Sequence, residues 1–237
     1  METKLIRSEQ AAEGTMSFHF ERPAEFNFKG GQSIDLTLVN PPETDDEGNT
    51  RAFSIAAAPY ENEIMITTRM RDTAFKRVLK TLAPGAPFKF EGPFGSMTLH
   101  NDTAKPAVIL AGGIGITPFR SMVLQAAHDK LPHKIFLFYS NRRPEDAAFL
   151  KELTDLEKEN PNYKFIGTMT NMTDSKMLWS GETGYIDGTM IKKYVTDLAA
   201  PIYYMAGPPA MAAAMRKMLN ENGINDDYIR AEEFSGY

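Results

Sequence analysis

The residues best suited to chemistry cluster in a few turns. Ala111-Gly112-Gly113-Ile114-Gly115-Ile116-Thr117-Pro118 joins an apolar run to a helical pattern. Glycines there let the backbone approach a phosphate, and a following helix start adds amide donors and a favourable dipole. No Lys-Ser or Lys-Thr follows, so this is not a nucleotide-hydrolysing phosphate loop. Pro118 stands where a third glycine of the usual dinucleotide fingerprint would lie. A nucleotide-binding turn is favoured over a tight structural one. Arg51-Ala52-Phe53-Ser54 is followed by Arg69, Arg71, Lys76, Arg77 and Lys80, opposed by Asp72. That stretch reads equally as an anion site or as a solvated helix face. The end of the chain, Arg230 to Tyr237, carries Phe234 and Tyr237. Position alone favours aromatic anchors for the tail over rings that cap a flat ligand.

Positioning these groups requires two kinds of element. Up to about residue 100, short alternating runs are broken by Gly, Pro and acidic turns: 16–20, 34–38, 64–68 and 88–90. Such spacing predicts a small antiparallel barrel or sandwich. One helix interrupts it, with Phe75, Val78, Leu79 and Leu82 on one face and Pro84-Gly85 at its end. Residues 41–50 read as an exposed acidic loop with no function required. After Lys105-Pro106, buried strand runs (108–111, 135–139, 163–169, 202–205) alternate with helical patterns, one opened by Pro144 and one carrying Met211, Ala214, Met215, Met218 and Leu219. The methionines read as core filler. Strand–turn–helix repetition implies a parallel sheet, with ligands at the carboxyl ends of its strands. The expected division is 1–102 for the barrel and 103–237 for the α/β domain.

Composition removes several classes. Lys plus Arg is 26 and Asp plus Glu 31, a formal charge of −5, which argues against a sequence-independent nucleic-acid binder. With no cysteine in the chain, thiol nucleophiles, disulfides and iron–sulfur clusters are excluded on these residues. His19, His100, His128 and His133 show no metal-like spacing, and Trp179 reads as a packing residue. No apolar run approaches the ~18 residues of a spanning helix. The opening residues are polar, unlike a signal peptide. A soluble cytoplasmic protein is the expectation.

Taken in order, Gly31-Gln32 after Phe28, Arg51-x-Phe53-Ser54, Gly92-Pro93-Phe94-Gly95, Gly112 to Pro118, Ala206-Gly207-Pro208-Pro209-Ala210-Met211 and Glu232 with Phe234 resemble the ferredoxin–NADP reductase superfamily. These are flavin-dependent reductases built from a barrel domain and a pyridine-nucleotide domain. The resemblance implies FAD as cofactor and NADH or NADPH as donor. Arg51 would pair with the flavin phosphates, Phe53 would pack on the ring and ribityl chain, Ser54 would hydrogen-bond N5, and Ala52 between them would belong to the cofactor site. Arg69 and Met70 would run beside the cofactor, and Ala74, Phe75 and Lys76 would receive the pyrophosphate. Gly113, Gly115 and Thr117, then Gly207, Pro208 and Met211, would receive the nicotinamide nucleotide. Glu232 is the family's C-terminal glutamate. Phe234, or else Tyr237, would cover the ring until nicotinamide displaces it.

Three positions depart from the family pattern. Phe53 replaces the usual Tyr, as in some members that bind flavin loosely. Lys76 stands for Ser or Thr, and Ala206 for the Cys beside nicotinamide. Arg142 and Arg143 could meet a 2′-phosphate, but Asn171 stands where NADPH-specific relatives often carry Arg, which leans the donor towards NADH. Nicotinamide C4 would deliver hydride to flavin N5, and electrons would pass to a separate acceptor: a ferredoxin, a flavodoxin or an oxygenase component. The alternatives are a reductase that uses free flavin as substrate and, third, an electron-transfer subunit of a larger complex.

Overall fold

The computed structural model describes residues 1–234. Alternation organises its first half. β1 (Glu2–Ala12), β2 (Thr15–Glu21), β3 (Ser33–Leu38), β4 (Thr50–Ser54), β5 (Glu63–Arg69) and β6 (Pro87–Phe94) form one sheet in the order β4-β3-β6-β1-β2-β5. Every pairing in it is antiparallel. In β3 the side chains of Ile34, Leu36 and Leu38 are buried while Ser33, Asp35 and Thr37 are half-buried, the two-residue period of a one-sided strand. The sheet curls so that its outer strands approach each other: just beyond β4, the Ala56 N–H donates to the Met65 carbonyl of β5 at 2.8 Å. Phe18, Phe20, Ile34, Leu36, Phe88 and Phe90 fill the interior. Helix α1 (Ala74–Thr81) plugs one end with Phe75, Val78 and Leu79. Its cap, Thr73, accepts from the Lys76 amide.

The second half alternates as expected. β7 (Ala107–Gly112), β8 (Ile135–Asn141), β9 (Tyr163–Met169), β10 (Glu182–Thr183), β11 (Ile202–Gly207) and β12 (Ile229–Glu233) take the order β10-β9-β8-β7-β11-β12. All neighbours are parallel. Helices α2 (Thr117–His128), α3 (Leu150–Asp155), α4 (Gly188–Tyr194) and α5 (Pro209–Glu221) connect them. β7 and β11 are buried at every residue, as continuous apolar runs in a doubly covered sheet must be. The chain leaves β7 towards β8 on one side and returns to β11 on the other. That reversal opens a crevice at the carboxyl ends of β7 and β11, where both glycine turns emerge.

Three segments differ from the sequence reading. The charged start of the chain is the 11-residue strand β1; its Thr3 and Leu5 face inward while its charges stay in water. Pro144 opens a short 3₁₀ turn rather than a helix. Phe149 then takes a left-handed conformation, φ 61°, with the Arg120 guanidinium over its ring, so the helix begins after it. The aromatic tail is not loose before Phe234: residues 229–233 are the edge strand β12, paired with β11. Among the described residues no helix is long and apolar enough to cross a membrane, and no three ligand-type side chains form a metal cluster.

The halves are joined through α2. Arg120 Nη1 donates to the Ala56 carbonyl (2.7 Å) and to Glu61 (2.9 Å), and its other nitrogens clasp Glu152. Ser121 Oγ donates to the Ala57 carbonyl at 2.6 Å.

Candidate active site

Two clefts, of about 420 Å³ and 890 Å³, share the turn 112–117 and the Arg69 side chain. The smaller lies where β4 and β5 diverge. Arg51, Ala52, Phe53 and Ser54 line it from one strand, and Thr67, Thr68 and Arg69 from the other. Thr73, Phe75 and Lys76 close it with the start of α1, while Ile114, Thr117 and Phe234 close it from the second half. Ser54 is buried, and its hydroxyl has no hydrogen-bond partner among the described residues. Burial, then the positive charges of Arg71 and Arg51, push the Lys76 ammonium below its ordinary pKa. An anion placed there would relieve that cost.

The larger cleft sits at the carboxyl ends of the parallel strands. Gly112, Gly113, Asn141, Arg142, Arg143, Asn171, Pro208 and Met211 line it. Arg143 is committed to Asp146 and Glu13, whereas Arg142 makes no ion pair among the described residues. Met211, Met215 and Met218 line this cleft too, so the methionine stripe is partly cleft wall and not solely core filler.

Other residues expected at the site support the walls without lining them. Gly115 and Gly207 pack the two glycine turns together. Met70 and Ala74 lie beside the smaller cleft, Met70 against the barrel core. Glu232 is half-buried on β12. Its Oε1 would stand 3.7 Å from a Cβ placed at Gly95, which has the Ser33 hydroxyl at 3.8 Å. Ser33 is in register with Ser54. Burial raises the Glu232 carboxyl above its ordinary value. Thr117 Oγ1 is spent on the Ile114 carbonyl at 3.0 Å, so it holds the turn's shape and offers no free donor. Tyr237 lies outside the described residues. Of the basic stretch, Arg77 points away into Glu43 and Asp72, and Lys80 lines neither cleft. The sequence reading missed Thr67, Thr68, Tyr185 and Asp187 as wall residues; the polar pair ending β5 was the one available signal.

Comparison with known proteins agrees with this geometry. Residues 109–217 match the family model described as an oxidoreductase NAD-binding domain. The ferredoxin NADP+ reductase of Neisseria gonorrhoeae, solved with bound FAD and NADP, superposes with a TM-score of 0.81 at 20% identity over 98% of both chains. The chain contains an oxidoreductase NAD-binding domain and has the ferredoxin–NADP-reductase-like fold. The FAD/NAD-binding domain of a Vibrio cholerae nitric oxide dioxygenase has the same fold, with a TM-score of 0.83 and 16% identity over 98% of both chains. The F component of the Na(+)-translocating NADH-quinone reductase of Yersinia pseudotuberculosis is 30% identical over 234 residues, covering 92% of this chain and 56% of that protein. The chain thus spans about half the length of the curated relatives it matches.

Proposed function

We propose that this chain is an FAD-dependent NAD(P)H oxidoreductase of the ferredoxin–NADP reductase superfamily that passes electrons to a separate acceptor, a small redox protein such as a ferredoxin, flavodoxin or oxygenase component. The observation that carries this reading is the shared wall. One cleft with basic side chains and a free serine hydroxyl meets a second cleft at the switch point of a parallel sheet, across one glycine turn. The donor set fits FAD: Lys76 and the α1 start for phosphate, Phe53 for the ring edge, Ser54 for a ring nitrogen.

Bound FAD would supply the acceptor for a nicotinamide hydride and release electrons one at a time. Ser54 would fix the ring through its hydroxyl, and the 112–117 turn would bring nicotinamide against it. Glu232 would hold a proton at a carboxyl oxygen near the Ser33–Ser54 corner. Phe234 would shield the site until nucleotide enters. The committed Arg143 and the neutral Asn171 support NADH as the preferred donor. With no cysteine in these residues, the acceptor's metal or cluster must lie elsewhere.

A second reading, a reductase that exchanges free flavin, is favoured by one observation. The Arg51 guanidinium, the expected phosphate partner, is occupied by Asp45 and Glu47. The visible spectrum of the purified protein tests both. A yellow protein with stoichiometric FAD that bleaches anaerobically with NADH supports the first. A colourless protein that oxidises NADH when flavin is supplied supports the second. A colourless protein inactive under both conditions removes both.

A further inference from the structure

The loop between β3 and β4 brings carboxylates to the basic side of the smaller cleft. Arg51 Nη2 donates to Asp45 Oδ1 at 2.7 Å. Its Nε lies 3.0 Å from Glu47 Oε2. Nη1 donates to the carbonyls of Glu47, Gly48 and Thr50 at 3.0, 3.0 and 2.8 Å. All three nitrogens of the fork are engaged within one short loop. The loop is closed on itself by the Gly48 amide on the Asp45 carbonyl at 2.8 Å, at a glycine with φ +75° that other residues rarely adopt. It is tied to α1 by Glu43 on Arg77 at 2.7 Å. The Arg51 hydrogen bond holds the Asp45 carboxyl below its usual range, and the Ala74 amide at the start of α1 favours the same ionised form. The guanidinium fork is thus divided between two carboxylates, one nitrogen on Asp45 and one on Glu47, and the Ala74 amide also favours ionised Asp45. Guanidinium nitrogens and a helix-start amide are also the donors a phosphate oxygen seeks.

We propose that Asp45 and Glu47 are an internal stand-in for the flavin's phosphate, competing with it for Arg51 and so setting how tightly phosphorylated flavins are held. This rests on reading the cleft as a flavin site. For FAD or FMN to engage Arg51, the loop must give up its carboxylate contacts. Riboflavin, with no phosphate, leaves them in place. The competition acts through partly exposed charge-assisted hydrogen bonds, which bounds its effect at about tenfold in affinity. Asp46 provides the control: it is exposed on the same loop and takes no part in the Arg51 contacts.

The test measures dissociation constants of FAD, FMN and riboflavin for the flavin-stripped full chain by fluorescence quenching. The proteins compared are wild type, Asp45→Asn with Glu47→Gln, Asp45→Asn alone, and Asp46→Asn. The double variant is expected to bind FAD and FMN about tenfold tighter, and Asp45→Asn alone about threefold tighter. Riboflavin affinity, and every constant of Asp46→Asn, should stay within about twofold. The single variant decides the matter if the double variant fails to fold. Unchanged or weaker FAD binding would overturn the proposal, since the carboxylates would then be orienting Arg51 for phosphate. Equal tightening of riboflavin would overturn it as well. If no folded protein of the set binds any flavin, the flavin reading falls and takes this proposal with it.

Discussion

A Cβ on Gly115 would stand 2.2 Å from the Ala206 carbonyl oxygen and 2.7 Å from the Gly207 amide nitrogen. The two glycine turns are in backbone contact, and even a methyl group cannot enter between them. Gly115→Ala must push β7's turn away from β11's. The expected cost is about 1–3 kcal/mol in stability and roughly tenfold or more in kcat/KM for the pyridine nucleotide, about 1.4 kcal/mol of lost binding. Thermal melting and steady-state kinetics with NADH measure both. Unchanged kinetics would mean that the turns need not touch.

Arg120 bonds to groups from both halves, and Glu61 and Glu152 are each less than half exposed. Arg120→Met keeps a long apolar side chain but removes the guanidinium from Phe149 and strands the Ala56 carbonyl and both carboxylates. Breaking such a group by removing one member leaves the other charges uncompensated, and about 3 kcal/mol of unfolding free energy should be lost. Urea denaturation followed by tryptophan fluorescence and far-UV circular dichroism reads this. A loss below about 0.5 kcal/mol would show the seam to be carried by apolar packing instead.

The two glycine turns were legible in the sequence because a doubly buried parallel strand is an uninterrupted apolar run, and glycine after such a run has few other uses. β1 was not, because the exposed Lys4, Arg7, Glu9 and Gln10 swamp the inward Thr3 and Leu5. β12 was hidden likewise: Ile229-Arg230-Ala231-Glu232-Glu233 is a sheet edge with little apolar signature. The Arg51 contacts depend on a loop that folds back onto its own strand, which no periodicity encodes. The fate of Arg77, drawn outward by Glu43 across 34 residues, is likewise a tertiary fact. Lys76 and Arg77 are adjacent in the chain, yet one faces the cleft and the other the acidic loop.

Glu232 gives a pH dependence with a definite sign. Its folded carboxyl is raised by burial, so the folded state holds the proton more tightly than the unfolded one. Stability then falls as pH rises from the unfolded value, ~4.3, through the raised folded value, and stays lowered above it. Glu232→Gln removes this penalty. Tm of variant and wild type should coincide near pH 4, and the variant should melt higher at pH 7. Parallel pH profiles would show that the carboxyl finds compensation on ionising.

Phe234 lines the smaller cleft directly after β12, its amide donating to the Gly207 carbonyl at 3.1 Å. Cutting the chain after Ala231 would remove two of the five paired positions of that strand. Phe234→Ala isolates the ring. Nucleotide access should improve, lowering KM for NADH about three- to tenfold, with Tm shifted by a few degrees at most. A raised KM would reassign Phe234 from cover to wall.

On the proposed reading, donor choice turns on the end of β8 and the turn after β9. Arg143 is neutralised by Asp146 and Glu13, which leaves Arg142 as the cation there without an ion pair among the described residues. The Asn171 amide donates to the Arg142 carbonyl at 2.9 Å, so the two side chains leave neighbouring points on the cleft wall. Asn171→Arg would put a second guanidinium beside Arg142, a pair suited to a 2′-phosphate. The ratio of kcat/KM for NADPH over NADH should rise about tenfold, the size of one added charge-assisted hydrogen bond. Arg142→Ala in the same background should return most of it. A ratio indifferent to both changes would place the 2′-hydroxyl away from this wall, and with it the basis for the NADH preference.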